Sequence, residues 1–130
     1  MHALRNVLEQ AQNDGVAIGH FNVADLALLK AVFSAAREVN APVIVGASGG
    51  ERAFMGVHQI VALVRSLRDE LGFPLFLNAD HTHSLPEALV AAKAGFDAIV
   101  FDVSTLPFEE TFARPERPSK PSRLPTPTFS

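Results

Sequence analysis

The sequence predicts an α/β fold with a parallel sheet, in a layout that favours a (β/α) barrel over a doubly wound sheet. Four short apolar runs alternate with helical patterns, and their starts lie roughly 23 to 33 residues apart, as in successive βα units. The runs are apolar throughout, which is typical of parallel strands covered on both faces. Polar residues follow every run at its C-terminal end, where parallel α/β folds bind ligands.

The order of elements follows from these runs and from the helix signals between them. The predicted strands are Val16–Phe21, Pro42–Ala47, Leu75–Ala79 and Ala98–Val103. Residues 1–15 read as a short helix, and apolar residues between Leu28 and Ala36 recur at the spacing of one helix face. A third helix spans Val57–Leu71 and closes on Gly72.

The fourth predicted helix has the clearest start and end. Ser84-Leu85-Pro86-Glu87 predicts a capping box, in which the serine accepts from the backbone at the glutamate and the glutamate reaches back to the serine N–H. The helix then runs to Ala94 and stops at Gly95. The sequence contains neither a Gly-x-Gly-x-x-Gly fingerprint nor a P-loop.

Composition restricts the classes of protein to which the chain can belong. At 130 residues it forms at most one domain, and 48% hydrophobic residues are typical of a globular fold. A net charge of −3 argues against a nucleic-acid partner, and apolar runs such as residues 98–101 are too short to cross a bilayer, so no membrane partner is expected. The absence of cysteine excludes disulfides and thiolate ligands, and a cytoplasmic location fits.

Asp80 and His81 form the strongest candidate site, because they follow the apolar run that starts at Leu75. Neighbours on an extended strand point to opposite faces, so both side chains can serve one site only where the strand ends and the backbone turns. The functional interpretation gives His81 a metal ion and Asp80 a proton. The alternative is an Asp-His pair in a loop that bonds to the backbone, and the strand-end position favours the functional interpretation.

Other polar residues lie at the same predicted rim. His83 makes a His-x-His spacing with His81, which suits a metal, but a role in helix entry before Ser84 is at least as well supported. Asp102, at the end of the fourth run, predicts either metal or substrate binding or a structural acceptor for backbone N–H groups. Ser48, followed by two glycines, predicts a small loop that can approach an anion.

The lysines indicate which chemistry to expect. Lys30 and Lys93 lie within predicted helices and Lys120 lies near the C-terminus, so no lysine stands at a predicted strand end. A Schiff-base lysine in a barrel would have to stand there. Metal-assisted chemistry is therefore the simpler prediction.

Several motifs together resemble the N-terminal part of class II, zinc-dependent fructose-bisphosphate aldolases and related ketose-bisphosphate aldolases. They occur in order and at family-like spacing over roughly the first 110 residues. The matching motifs are Phe21-Asn22, Ala41-Pro42-Val43-Ile44 with Ser48-Gly49-Gly50, Asp80-His81, Ala94-Gly95-Phe96, Phe101-Asp102-Val103-Ser104 and Leu106-Pro107-Phe108-Glu109-Glu110.

The resemblance implies the N-terminal part, about four βα units, of a TIM (β/α)8 barrel. The family cleaves a ketose bisphosphate reversibly into dihydroxyacetone phosphate and an aldehyde. By position, Asp80 is similar to the family's acid/base on the C4 hydroxyl, His81 to one of three zinc histidines, and Asp102 to a ligand of a second divalent cation. Asn22 and Ser48 resemble substrate-contacting residues. The implied partners are a phosphorylated sugar and, as in full-length family members, further copies of the chain.

The same resemblance implies an incomplete zinc site. The family's other two zinc histidines, a glutamate ligand and the glycine-rich phosphate loops come from the second half of a barrel that typically needs about 250 residues. Catalytic zinc usually has three protein ligands. We therefore expect the 130-residue chain to have little activity by itself.

The sequence changes character after Glu110. Residues 1–112 are predicted as a partial barrel, and residues 113–130 as a disordered, basic, proline-rich tail. One interpretation is a linker that binds a partner, which would make the chain a non-catalytic α/β module. The favoured interpretation is a reading-frame artefact: with suitable GC-rich codons, restoring one missing base before Thr111 lets the tail read as an amphipathic helix followed by a strand start.

Sequencing the gene around the Glu110 codon distinguishes these two interpretations. The reading-frame hypothesis predicts that one base is missing there and that aldolase-like sequence continues downstream in another frame. An intact frame with no such sequence downstream contradicts it.

Overall fold

A computed structural model describes residues 3–107 of the chain as a parallel sheet with helices between its strands. The described strands are β1 Gly19–Asn22, β2 Val43–Ala47, β3 Leu75–Thr82 and β4 Ala98–Phe101. The described helices are α1 Leu4–Asp14, α2 Leu26–Glu38, α3 Gly49–Met55, α4 Val57–Leu71 and α5 Leu85–Ala94. The predicted tail, residues 113–130, lies outside the described residues.

The four strands pair in chain order, β1-β2-β3-β4, and every pair is parallel. The first three strands start level, since Gly19 pairs with Val43 and Val43 with Leu75. In contrast, Ala98 of β4 pairs with Asn78, so β4 starts further along the sheet. A stagger of this kind accompanies the strand tilt that closes a barrel. All four carboxyl ends lie on one rim.

The hydrophobic core lies between one face of the sheet and the helices. Val43, Val45, Leu75 and Leu77 alternate along β2 and β3 toward that face, as the period of two in a strand requires. They belong to one buried cluster with residues of α2 and α4. The helix residues of that cluster are Leu29, Phe33, Ala36, Ile60, Val61 and Val64, together with Ala94 of α5.

On β2 and β3, the residues that alternate with these core positions point to the opposite, inner face. Gly46 is required there, because a Cβ atom would lie 2.5 Å from Asn22 Oδ1 and 2.6 Å from His20 Cε1. The missing side chain lets two polar groups of β1 lean over β2. The fold therefore places the apolar core on the outer face, and polar groups on the part of the inner face nearest the rim.

Every strand differs from its predicted bounds at one end or more. β1 starts at Gly19 rather than Val16, because the β2 ladder that it joins begins only at Val43. β2 itself starts after Pro42, which has no N–H to donate. β4 ends at Phe101 rather than Val103, and Asp102 is the first residue beyond it.

The largest difference is an unpredicted helix, α3. The Ser48-Gly49-Gly50 segment is the N-cap and first turn of this helix and not a loop. Ser48 and Glu51 form a complete capping box, in which each side chain bonds the other residue's backbone N–H. At the predicted box before α5, the Ser84 hydroxyl accepts from the Glu87 N–H at 3.4 Å.

The sheet has two open edges within the part of the chain that the structure describes. β1 and β4 each pair with one neighbour, and Phe21 and Phe101 on these strands are about half exposed. An apolar groove of about 350 Å³ runs beside β1, between Phe21 and Val39 of the α2 end. Unpaired strand edges are sites of association.

An ion pair joins the amino end of β4 to α4. Both oxygens of Asp97 accept from Arg68, and Asp97 Oδ2 also accepts from the N–H of buried Leu77 at 2.8 Å. This carboxylate therefore fixes the entry into β4 against β3. Among residues 3–107, no helix is both long and apolar enough to cross a membrane.

We expect Asp97→Ala to lower the free energy of unfolding by roughly 1–3 kcal/mol, because it leaves the buried Leu77 N–H without its acceptor. Urea unfolding measures the loss. Asp69→Ala, on the exposed side of α4, is the matched control and should change stability by less than about 0.5 kcal/mol. Equal unfolding midpoints for the two variants would contradict this role of Asp97.

Candidate active site

Asp80 and His81 lie on an irregular stretch of β3. The sequence predicted that the strand ends before them, at Ala79. In the structure it continues to Thr82, with a register shift between Ala79 and Thr82. His81 has a φ of 45°, in the left-handed region that side-chain-bearing residues rarely adopt. This turn brings two neighbours to the same side, and His81 Nε2 lies 3.8 Å from Asp80 Oδ2.

Asp102 fixes the other side of the imidazole. Its Oδ2 lies 2.9 Å from His81 Nδ1, and its Oδ1 accepts from the Ser104 N–H at 2.9 Å. The Asp102 N–H in turn donates to the Thr82 carbonyl at 2.9 Å, which ties the residue after β4 to the end of β3. The ring thus points Nδ1 at Asp102 and Nε2 toward Asp80 and the open rim.

These contacts shift the acidity of both groups. The hydrogen bond that Asp102 accepts from His81 raises the pKa of His81, and the nearby charge of Asp80 raises it further. The bonds that Asp102 accepts from Ser104 and then from His81 hold the pKa of this carboxyl well below its usual range. Both shifts favour the charged form of each group.

His83 stands beside His81 on the same side, as its His-x-His spacing predicts. The two rings stack with centroids 6.4 Å apart and an interplanar angle of 25°. His83 Nδ1 lies 3.2 Å from the carbonyl oxygen of Asp102 and 4.0 Å from its Oδ2. Both imidazoles thus share one acidic partner.

Asp80 is held from the β1 side. The Asn22 side-chain amide donates to Asp80 Oδ2 at 3.0 Å and lies 3.5 Å from Glu51 Oε2. Glu51 Oε2 also accepts from the Ser48 N–H at 2.6 Å. One chain of hydrogen bonds therefore connects the ends of β1, β2 and β3, and it engages Asp80 through Oδ2.

The inner face below this network is polar as well. The Asn78 side-chain amide lies 3.1 Å from His20 Nε2. Asn78 is only 4% exposed, and within the described part of the chain its Oδ1 has no hydrogen-bond partner. The strand register puts His20 level with Phe76, closer to the amino end of the sheet than Asp80.

A zinc ion fits these residues only in part. The His81 Nδ1–H donates to a carboxylate and Nε2 stays unengaged by Asp102, which is the usual arrangement of a metal-binding histidine. Residues 3–107 nevertheless contain no group of three His, Asp or Glu side chains that could enclose a metal. His81 can therefore supply one ligand, and these residues do not complete the site.

An acid, an imidazole and an amide that converge at the carboxyl ends of parallel strands are typical of the sites of (β/α) barrels. Residues 2–117 match the family model described as class II fructose-bisphosphate aldolase. The chain therefore belongs to the class II fructose-bisphosphate aldolase family.

Known relatives agree with this assignment. The chain is 35% identical over 114 residues to a fructose-bisphosphate aldolase of Staphylococcus aureus strain Mu50. The matched segment covers 85% of this chain and 40% of that protein. It is 34% identical over 111 residues to one of Staphylococcus epidermidis, which covers 83% of this chain and 39% of that protein. The chain thus spans about 40% of the length of these curated relatives.

Solved structures show the same relation. The YdjI aldolase of Escherichia coli K12 superposes with a TM-score of 0.75 and 28% identity, over 84% of this chain and 43% of that one. The fructose-bisphosphate aldolase of Campylobacter jejuni superposes with a TM-score of 0.69 and 25% identity, over 82% and 39%. The prediction of a partial aldolase-type barrel is confirmed.

The structure brings together most of the residues that the sequence singled out. Asn22, Asp80, His81 and Asp102 form one connected cluster at the rim, and Ser48 joins it through Glu51. Sequence reasoning missed Glu51, although Ser-x-x-Glu is a capping-box signal that could have found it. It also missed the residues around the β3 irregularity. The additional polar residues are Arg52, Asn78 and Thr82.

We expect Asp102→Asn to lower the pKa of His81 in the metal-free chain, because the substitution removes the charged partner of Nδ1. NMR titration of the His81 ring measures it. Because the pKa of His81 is raised in the folded chain, protonation of His81 stabilises the fold. This stabilisation is complete below about pH 6.5, and it is lost as the pH rises through the pKa of the folded state. The gain in unfolding free energy from pH 8 to pH 6 should therefore shrink in Asp102→Asn.

Asp25→Asn, at the α2 N-cap, is the control for this titration because Asp25 bonds the Leu28 N–H and is not among the groups that shift the pKa of His81. It should leave the His81 titration unchanged. A His81 pKa that is equal in wild type and Asp102→Asn would contradict the described hydrogen bond.

Proposed function

We propose that this chain carries the acid–base half of a metal-dependent aldolase site, which acts on a ketose bisphosphate such as fructose 1,6-bisphosphate. The observation that supports the proposal most is the convergence of Asp80 and His81, which are sequence neighbours, on one rim. Family membership supports the reaction class and the phosphorylated sugar substrate. Asp80 and His81 are the residues on which we base the proposal.

Asp80 is the proposed acid/base. Asn22 engages Oδ2, so Oδ1 can accept the proton of the substrate's C4 hydroxyl. As that proton leaves, the C4 oxygen forms the aldehyde carbonyl, the C3–C4 bond breaks, and its electron pair stays on C3 of the dihydroxyacetone phosphate part. In the reverse direction, Asp80 returns the proton to the C4 oxygen. Its side chain is only 15% exposed, which limits exchange of that proton with solvent.

His81 is the proposed zinc ligand, through the Nε2 atom that Asp102 leaves free. A zinc ion, when bound, supplies Lewis-acid polarisation of the substrate ketone. The described geometry supports Asp102 as the residue that orients His81. Its role as ligand of a second divalent cation, and any contact of His83 with metal, stay predictions.

Asn22 and Ser48 are proposed to contact substrate. The bonds of the Asn22 amide to Asp80 and Glu51 support this role, because a substrate hydroxyl that meets the Asp80 carboxylate would also meet this amide. The Ser48 hydroxyl accepts from the Glu51 N–H in the helix cap. It would contact substrate with its remaining donor.

We expect that the 130-residue chain alone does not retain zinc tightly or in stoichiometric amount, and that it shows no measurable cleavage of fructose 1,6-bisphosphate. The reason is that one imidazole is fewer than the three protein ligands that catalytic zinc usually needs. Metal analysis after gel filtration and a coupled assay for dihydroxyacetone phosphate measure both. Stoichiometric zinc together with turnover would contradict the incomplete site.

A chimeric enzyme tests the proposed roles directly. Residues 3–107 would replace the matching N-terminal segment of the Staphylococcus aureus fructose-bisphosphate aldolase, which supplies the remainder of the barrel. We expect zinc-dependent cleavage, and a loss of about 10²–10⁴ in kcat for Asp80→Asn, as removal of a general acid/base requires. His81→Ala should release zinc.

His58→Ala is the matched control, because His58 lies in the first turn of α4 and contributes to none of the described hydrogen bonds of the rim, so its loss should leave kcat unchanged. A folded, zinc-loaded chimera without activity would contradict the proposal and favour the non-catalytic α/β module. So would equal activities of the Asp80→Asn variant and the unmutated chimera.

A further inference from the structure

Arg52 is a buried cation with neutral partners. It lies on α3, and only 6% of it is exposed. Its guanidinium donates to the carbonyl of Ala47, to the carbonyl of Asp80 at 2.9 Å and to the hydroxyl of Thr82 at 3.2 Å. Because buried charges usually pair with opposite charges, this arrangement is an unfavourable choice if its purpose is stability alone.

The partners of Arg52 enclose the irregular stretch of β3. Asp80 and Thr82 are the residues immediately before and after His81, and Ala47 is the last residue of neighbouring β2. The Thr82 hydroxyl also bonds the Ala79 carbonyl at 3.2 Å, so it spans the register shift. The Arg52 side chain therefore bonds the residues on both sides of His81, which has the positive φ, and connects them to β2.

We infer that Arg52 is the positioning residue of this site: it holds β3 in the irregular conformation that turns Asp80 and His81 to the same side. A regular strand would alternate these two side chains between faces. A left-handed conformation at a histidine persists only where surrounding contacts impose it. Arg52 supplies such contacts at the residues before and after His81, and the meaning of this conformation for catalysis rests on the proposed function.

The capping box explains how Arg52 reaches this position. Ser48 starts α3 directly after β2, and the Arg52 N–H donates to the Ser48 carbonyl at 2.9 Å, which closes the first turn. The same box orients Glu51 toward Asn22. Two successive residues of one helix turn thus contact different parts of the site. Glu51 contacts the Asn22 side chain, and Arg52 bonds the residues on either side of His81.

The test compares Arg52→Met with Arg68→Met in the full chain by NMR. Arg68 serves α4 and β4 at the opposite end of the sheet, so its loss reports what a structural arginine does. In Arg52→Met, we expect the backbone carbon shifts of Asp80 and His81 to move toward extended-strand values. Hydrogen exchange of the Asp102 amide, which bonds the Thr82 carbonyl, should quicken by about tenfold or more. Arg68→Met should lower stability and leave these signals in place.

Two further variants keep the test decisive if Arg52→Met does not fold. Arg52→Lys retains the charge but not the planar array of donors, and Thr82→Val removes only the hydroxyl. Each should shift the His81 signals part of the way. Unchanged His81 signals in all Arg52 and Thr82 variants, or equal changes in Arg68→Met, would overturn the inference. If the signals move as expected and the chimeric enzyme is inactive, the positioning role holds and the proposed function fails.

Discussion

The irregular stretch of β3 at His81 is the constraint on which the site depends. Two side chains that follow each other along a strand cannot normally share a pocket, because the pleat sends them to opposite faces. Here a register shift and a φ of 45° at His81 break that alternation. The Asp80 carboxylate and the His81 imidazole then lie 3.8 Å apart at the end of the strand, although they belong to adjacent residues.

Neighbouring elements stabilise this arrangement from three directions. Asn22 on β1 bonds the Asp80 carboxylate, Asp102 after β4 bonds the imidazole, and Arg52 on α3 bonds the backbone. A parallel sheet makes this possible, since it collects the carboxyl ends of all strands on one rim. The core on the other face, with residues such as Leu29 and Ile60, keeps the strands in register and takes no part in the chemistry.

The sequence was informative where local pattern decides structure. The apolar runs predicted four strands, and the polar residues after them predicted which side chains would meet, because strand direction alone places Asp80, His81 and Asp102 on one rim. It was uninformative where contacts between distant segments decide. Nothing local to Arg52 indicates that it is buried, and nothing near His81 predicts a strand that continues past it.

The missed helix α3 shows a conflict between two local signals. Gly49 and Gly50 indicate a turn, whereas the Ser48–Glu51 spacing indicates a helix start, and in the structure the capping box prevails. The start of β1 shows the opposite case: residues 16–18 are as apolar as a strand, but β2 offers them no ladder to join. Pairing partners, which a single segment does not reveal, fix such boundaries.

The most direct test of the central geometry is the effect of Asp80→Asn on the titration of His81. If the two side chains share one side of the strand, removing the Asp80 charge lowers the pKa of His81 in the folded chain by more than in the same chain unfolded in urea. If the decrease is the same in both states, the neighbours do not converge, and the described site does not exist.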